Sequence, residues 1–209
     1  MFLSKGLPNP LERGCAMLLA LDCDGVMTDI MELRSRVLLI KYKICIEPRL
    51  CNRQHLIGQG ILPETAYEEF CQTVYHDPKY GHLLRLAGGA AFHVARLQSM
   101  GHAIKIATRR SNTGLVIVRS LFDRYNLSIP MQSVPRGQSK AEAIAGAYAY
   151  VDDDRRELDM LLDDGVLPTQ TRLYLWRHNY NQAASLVGLT GEVRSFAEYA
   201  QLVTSWQRE

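Results

Sequence analysis

Residues 17–29, MLLALDCDGVMTD, constrain the fold more than any other part of the chain. Apolar residues of the kind that form a buried strand, predicted at 16–21, run directly into three carboxylates. Carboxylates without partners beside a buried strand would destabilise a fold severely. Side chains two positions apart on an extended segment point the same way, so Asp22 and Asp24 are predicted to face one crevice, with Gly25 allowing the turn behind them. Two like charges so close together predict a bound cation.

Two further strand-like runs also end in polar residues. Residues 103–107, AIKIA, end at Thr108, and residues 147–151, AYAYV, end at Asp152 and Asp153. Helix-like segments alternate with these runs, which is typical of an α/β fold with a Rossmann-like parallel sheet flanked by helices. The carboxyl ends of such strands meet at one edge of the sheet, where open sheets bind ligands. The helix-like segments are 90–100, 112–125 and 139–147.

The stretch from 30 to 86 interrupts this alternation. An apolar run at 37–46 and a loop-like segment at 47–60 precede a helical segment, 63–75, that begins with proline. Its place directly after the first strand predicts a cap inserted over the site, and a long decorated connection is the alternative. The predicted organisation is an N-terminal extension at 1–13, a catalytic core at 14–29 and 87–209, and an inserted cap subdomain at 30–86.

The carboxylates at the sheet edge predict a metal site. Asp22, Asp24, Asp152 and Asp153 offer hard oxygen ligands without histidine or thiolate. Such a ligand set suits Mg²⁺ best, and Mg²⁺ is the metal that most often accompanies phosphate.

Side chains near these carboxylates are candidates for holding a phosphoryl group. Thr108 ends the second strand and Lys140 stands near the start of a predicted helix, so a hydroxyl and an ammonium are available for phosphoryl oxygens. The alternatives are a helix cap for Thr108 and a solvated charge for Lys140. Arg109 and Arg110 are either a bidentate clamp for phosphate or exposed charges on a loop.

The two aspartates of the first motif then receive distinct roles. A carboxylate can attack phosphorus to give an aspartyl-phosphate, which predicts Asp22 as the nucleophile. Asp24 is placed to protonate the leaving oxygen and then to activate water. Cys23 lies between them, and alternation predicts that it packs inside rather than reacts.

These motifs, in this order, resemble those of the haloacid dehalogenase (HAD) superfamily, whose members mostly hydrolyse phosphate esters. The resemblance implies the same nucleophile and acid/base roles for Asp22 and Asp24, and an outer metal contact at Glu157, with Asp159 as the alternative. The second aspartate favours phosphoester hydrolysis over carbon–halogen cleavage. The residues that carry the resemblance are 22–29 (DCDGVMTD), Ile104–Thr108, Lys140 in 137–140 (GQSK), and Val151, Asp152 and Asp153 with Glu157 four residues on.

The sequence therefore predicts a Mg²⁺-dependent phosphatase acting on a small phosphorylated metabolite. Residues 173–181, LYLWRHNYN, are similar to the tail of 5′(3′)-deoxyribonucleotidases, so a nucleotidase is the alternative. A signalling receiver domain belongs to a different class, and it has its acidic pair before its acceptor aspartate, the reverse of the order here. A non-catalytic binding member of the superfamily is disfavoured because all four chemical positions are filled.

Composition limits the partners. The net charge is +2 at pH 7 and the basic residues are scattered, so nothing favours a nucleic-acid polymer. The apolar run at 15–21 is far shorter than the about 20 residues of a membrane span, and no signal peptide is recognised, so no membrane partner is expected. Five cysteines without a CxxC pair favour reduced thiols and a cytoplasmic location. A homo-oligomer is left open.

Overall fold

A computed structural model describes residues 16–165, 167 and 170–207. In these residues, six parallel strands form one sheet in the order β3-β2-β1-β4-β5-β6, with helices packed on it, which confirms the predicted α/β class. The strands are β1 Leu18–Leu21, β2 Ala103–Thr108, β3 Met131–Ser133, β4 Ala149–Asp152, β5 Arg172–Trp176 and β6 Gly191–Val193. The helices are α1 Ile30–Val37, α2 Arg53–Gly58, α3 Glu64–His76, α4 Pro78–Gly81, α5 Ala90–Ser99, α6 Asn112–Asp123, α7 Arg155–Asp163 and α8 Phe196–Trp206. The predicted extension at 1–13 lies outside the described residues.

Strand β1 occupies the centre of the sheet, between β2 and β4. Leu21 pairs with Ile106 on one side and with Val151 on the other. The residues that follow these three positions therefore emerge at the same edge of the sheet, as the sequence predicted.

The side chains of β1 alternate between two apolar layers. Leu19 and Leu21 belong to the larger buried cluster, which includes residues of α5, α6 and α8. Ala20 points to the opposite face and belongs to a smaller cluster that contains Leu158 and Leu161 of α7. The sheet is thus covered on both faces, as parallel sheets require.

Residues 30–86, hereafter the insertion, are mainly helical. The predicted helix at 63–75 is α3, and the predicted loop at 47–60 contains the short helix α2, which begins where Asn52 accepts a hydrogen bond from the His55 amide at 2.9 Å. Leu33 and Phe70 of the insertion belong to the same apolar cluster as β1. Its role as a cap stays a prediction. Its remaining elements are a π-helical turn at Leu38–Tyr42 and a 3₁₀ turn at Pro48–Leu50.

The predicted helix at 139–147 is wrong. The segment forms successive turns, in which the Ile144 amide donates to the Lys140 carbonyl at 3.0 Å and the Ala147 amide to the Ile144 carbonyl at 2.9 Å. Alanine favours a helix here, but Gly137 before the segment and Gly146 within it have left-handed φ angles of 80° and 75°, which the interior of a helix does not accommodate.

Among the described residues, no helix combines the length and the apolar character needed to cross a bilayer. The described cysteines are all free thiols: Cys23, Cys45, Cys51 and Cys71.

Candidate active site

The loop after β1 holds the two aspartates of the first motif in fixed positions. The Asp22 amide donates to the Val151 carbonyl at 2.8 Å, so the residue continues the line of the strand. Gly25 has a φ of +86°, and a Cβ at that position would collide with the Asp153 carboxylate. The turn therefore requires glycine twice over, for its backbone conformation and for its space.

Three carboxylates converge at the edge of the sheet. One oxygen from each of Asp22, Asp152 and Asp153 lies within 4.8 Å of the others. The buried Lys140 ammonium is 2.6 Å from Oδ1 of Asp22 and 2.8 Å from Oδ2 of Asp152. Although Lys140 is not on a helix, it lies where the sequence predicted, beside the nucleophile candidate.

One ammonium cannot balance three carboxylates, two of which, Asp22 and Asp152, are buried. Burial raises the pKa of Asp22 to about 8, although Lys140 opposes the shift. Burial and the Asp152 charge raise the pKa of Asp153 well above its usual value. Burial also opposes the charge on Lys140, but Asp152 and Asp22 outweigh it and hold the pKa of Lys140 above its usual range. Three hard oxygen ligands with this excess of negative charge fit a divalent cation such as Mg²⁺.

The carboxylate of Asp24 lies apart from this group. Its two oxygens accept from Nε and Nη2 of Arg110, both at 2.8 Å, and Thr28 Oγ1 donates to it at 3.0 Å. The Arg110 side chain is 1% exposed. The sequence predicted Asp24 as a metal ligand; its carboxylate is paired with an arginine and lies outside the group of Asp22, Asp152 and Asp153, so its role toward a metal stays a prediction. Arg110 is therefore not an exposed loop charge, and its guanidinium is engaged by Asp24 in this structure.

Thr108 and Arg109 leave the end of β2 in different directions. Thr108 is fully buried, and its Oγ1 accepts a hydrogen bond from the Arg110 amide at 3.2 Å. Arg109 donates to both carboxylate oxygens of Glu157, at 2.9 and 2.5 Å, and to the Pro135 carbonyl. In this structure its guanidinium is occupied by the protein, and its role in binding substrate stays a prediction.

The same ion pair bears on the predicted outer metal contact. Glu157 is held by Arg109, and Asp159 pairs with Arg155 at 2.5 Å on the surface of α7. Neither carboxylate belongs to the group formed by the described residues Asp22, Asp152 and Asp153. Which of the two acts as an outer contact therefore remains a prediction.

All the predicted site residues line one cleft between the sheet edge and the insertion. The cavity has a volume of about 1040 Å³. The insertion also contributes polar side chains to its lining, among them Arg34, Tyr67 and Tyr75. The predicted residues on its core side are Asp22, Asp24, Thr108, Arg109, Lys140, Asp152 and Asp153.

Two tyrosines that the sequence analysis missed contact the carboxylates. The Tyr150 hydroxyl donates to Oδ2 of Asp152 at 2.5 Å, and the Tyr180 hydroxyl donates to Oδ2 of Asp153. Tyr150 was detectable, because it lies two residues before Asp152 on a strand and therefore points the same way. Tyr180 comes from a loop after β5, and no local pattern connects it with Asp153.

The loop that contains Tyr180 braces the first motif. His178 Nε2 lies 2.5 Å from the Gly25 carbonyl, and its ring stacks on Tyr180 at 4.8 Å. The side-chain Nδ2 of Asn181 donates to the backbone carbonyls of Asp153 and Trp176 at 2.8 and 2.9 Å. The asparagine of the nucleotidase-like tail is thus engaged by the protein backbone.

Cys23 packs as predicted. Its side chain is completely buried in the larger apolar cluster, and burial raises the pKa of its thiol well above the ordinary value. It is therefore a poor nucleophile.

Comparisons with solved structures define the fold. A HAD family hydrolase from Deinococcus radiodurans R1, solved with bound phosphate and sodium, is 14% identical over 93% of this chain and 98% of its own, with a TM-score of 0.64. The chain has the fold of HAD hydrolases. This fold is also seen in a phosphonoacetaldehyde hydrolase-like protein from Oleispira antarctica (13% identity, 94% of each chain, TM-score 0.60). CbbY from Rhodobacter sphaeroides, in complex with phosphate, is 15% identical over 88% of this chain and 96% of its own, with a TM-score of 0.55. No family sequence model and no curated protein sequence matches the chain.

Proposed function

We propose that the protein is a Mg²⁺-dependent phosphatase that hydrolyses a small phosphorylated molecule through an aspartyl-phosphate on Asp22. The arrangement that supports this most strongly is the Lys140 ammonium between the Asp22 and Asp152 carboxylates, with Asp153 within 4.8 Å. A nucleophile, a buried cation and a set of hard oxygen ligands share one end of a cleft large enough for a metabolite. The phosphate bound in the Deinococcus structure of the same fold agrees with this chemistry.

The first step forms a bond between Asp22 and phosphorus. Lys140 holds Oδ1 of Asp22, so we assign the attack to Oδ2. The bond between phosphorus and the ester oxygen breaks, and Asp24, which carries a proton at the start of this step, gives it to that oxygen, so the alcohol leaves neutral. Lys140 and Thr108 are the candidates for holding the phosphoryl oxygens, because both line the cleft next to Asp22.

The second step returns the enzyme to its starting state. Asp24 takes a proton from water, the water oxygen attacks phosphorus, and the bond to Asp22 breaks to release inorganic phosphate. Arg110 and Thr28 orient the Asp24 carboxylate for both transfers. A divalent cation bound by Asp22, Asp152 and Asp153 would neutralise charge on the phosphoryl group and offset the repulsion among the carboxylates.

The Asp22→Asn substitution tests this proposal. It removes the nucleophile and should lower hydrolysis of an aryl phosphate in Mg²⁺ by at least about 1000-fold, because a covalent step is lost. Wild-type protein quenched in acid after exposure to ³²P-labelled ester should carry label that hydroxylamine releases, as acyl phosphates do. Asp123→Asn, at the exposed end of α6, is the matched control and should keep full activity. Substantial turnover by Asp22→Asn would exclude the assignment, and activity unaffected by EDTA would exclude the metal.

A further inference from the structure

Arg34, on the first helix of the insertion, is a buried cation without a carboxylate partner. It is 5% exposed, and among the described residues no Asp or Glu oxygen lies within 4.0 Å of its guanidinium. The other buried cations of the described chain are paired: Lys140 with Asp22 and Asp152, Arg110 with Asp24, and Arg177 with Glu192. A buried charge that lacks a counter-ion is costly, so the exception requires an explanation.

The partners of Arg34 are neutral oxygens and aromatic rings. Its Nε donates to the Cys51 carbonyl at 2.6 Å, Nη2 to the Tyr67 hydroxyl at 2.8 Å and Nη1 to the Tyr75 hydroxyl at 3.2 Å. The guanidinium also lies over the rings of Tyr67 and Phe70, at 5.4 and 5.0 Å. These contacts hold the side chain in place without neutralising it, and two of its five N–H donors remain unused.

The two phenols add to the excess of donors. Each hydroxyl accepts from Arg34, so its own hydrogen is left to donate, and neither donates to a carboxylate or carbonyl of the described residues. The Cys71 thiol is also within hydrogen-bond reach of Tyr67, and the Arg53 guanidinium lies 6.0 Å from the centre of its ring. All three side chains line the cleft that holds Asp22. A guanidinium and two hydroxyl donors facing a cavity match the requirements of an oxyanion.

We infer that Arg34, Tyr67 and Tyr75 bind a second anionic group of the substrate, a carboxylate or a second phosphate, at the insertion side of the cleft. This inference rests on the proposed phosphatase function and names the class of its substrates. Tyr75 connects the two ends of the cleft, because its carbonyl accepts from Arg110 at 3.1 Å and its ring lies 5.3 Å from that guanidinium. The anion site therefore adjoins the groups that hold Asp24.

This site selects among phosphorylated metabolites. A nucleoside monophosphate has a neutral sugar and base beyond its phosphate, and it offers nothing to neutralise Arg34. A phosphorylated hydroxy acid or a bisphosphate carries negative charge at both ends. We therefore expect these compounds to be preferred over nucleotides.

The test compares three ester types that differ at the remote end: propyl phosphate, 3-phosphonooxypropanoate and propane-1,3-diyl bisphosphate, with homologues of two to five carbons. Dissociation constants are measured calorimetrically in the presence of Mg²⁺. The protein used is the Asp22→Asn variant, because it is expected not to hydrolyse the esters. At least one anionic series should bind about 10- to 100-fold tighter than its neutral counterpart, the range for hydrogen bonds to a charged group. The carboxylate and bisphosphate arms then distinguish the two kinds of anion.

Variants added to the same protein locate the site. Tyr67→Phe and Tyr75→Phe keep the rings and should weaken binding of the anionic esters about tenfold while leaving propyl phosphate unchanged. Arg34→Gln should abolish the preference. Arg36→Gln is the matched control, because Arg36 lies on the same helix and pairs with Glu32.

Each unfavourable result has one meaning. Equal binding of neutral and anionic esters, or equal loss for both in the tyrosine variants, would overturn the anion site even if wild-type protein hydrolyses propyl phosphate. A clear preference in binding without hydrolysis of any ester by the wild type would uphold the anion site and overturn the phosphatase. Because the tyrosine variants keep the packing of the insertion, a folding defect of Arg34→Gln does not decide the outcome.

Discussion

Replacing Arg110 by methionine should destabilise the protein severely, because the change leaves Asp24 without its counter-charge. Arg110 makes two hydrogen bonds of 2.8 Å to that carboxylate and a third, of 3.1 Å, to the Tyr75 carbonyl. The side chains of Arg110 and Asp24 are 1% and 18% exposed. Methionine keeps much of the length of the side chain and removes the charge and all three bonds.

The expected cost follows from this burial. Removing one partner of a buried ion pair costs about 3 to 5 kcal/mol, because the other charge stays buried. Asp24 retains some contact with water, so the expected cost is about 3 kcal/mol, at the lower end of this range. Asp24→Asn should cost less, since its amide oxygen still accepts from Arg110. The coupling between the two changes should then be about 2 kcal/mol.

The assay is urea denaturation in EDTA of the wild type, Arg110→Met, Asp24→Asn and the double variant. EDTA removes any effect of bound metal on stability. Arg36→Met is the control, because Arg36 and its partner Glu32 lie on one helix with side chains 42% and 33% exposed, and the change should cost at most about 0.5 kcal/mol. A coupling below about 0.5 kcal/mol, no larger than that of an exposed pair, would refute the claim that Arg110 is the counter-charge of Asp24.

Two further predictions concern the metal group. Since burial raises the pKa of Asp22 from 3.8 to about 8, the folded state holds a proton that the unfolded chain has released, and the free energy of unfolding in EDTA should fall as pH rises from 4 to 8. Mg²⁺ should reduce this fall, and a flat or rising profile in EDTA would contradict the pKa shift. Gly25→Ala should lower stability and weaken Mg²⁺ binding, because its Cβ would displace the Asp153 carboxylate. Gly101→Ala, with a φ of +93° and open space around it, controls for backbone strain alone, and equal Mg²⁺ affinity in both variants would exclude the displacement.

The sheet centre was predictable because its strands are apolar runs that end abruptly. β1, β2 and β4 are mainly buried, so their sequences are mainly apolar, with Lys105 as the one charged residue in the interior of these strands. The edge strands β3 and β6 have three residues each, too few to establish a period. Helix α2 escaped prediction for the same reason, since it has six residues and one buried side chain.

The candidate site divides in a similar way. Asp22, Asp152 and Asp153 were predictable because a parallel sheet brings the ends of its strands together. The partner of Asp24 was not, because Arg109 and Arg110 are adjacent in the sequence and only the course of the chain after β2 decides which one turns inward. Arg34 gave no signal at all, since an arginine on an amphipathic helix is normally solvated. Its burial depends on α3, which begins 30 residues later in the chain.

Two groups of charges that line the cleft are unbalanced, one at the sheet edge and one at the insertion. At the sheet edge, Asp22, Asp152 and Asp153 face one ammonium, and at the insertion Arg34 faces none but neutral oxygens. A divalent cation would correct the first imbalance and an anionic group of the substrate the second. A ligand that carries its phosphate to the metal and a second negative charge to Arg34 would satisfy both groups at once. We therefore expect such a ligand, added together with Mg²⁺, to stabilise the protein by more than the sum of two separate effects. These are the effect of Mg²⁺ alone and the effect of a control compound that carries the second negative charge but no phosphate. The reason is that each bound end of the ligand fixes the position of the other.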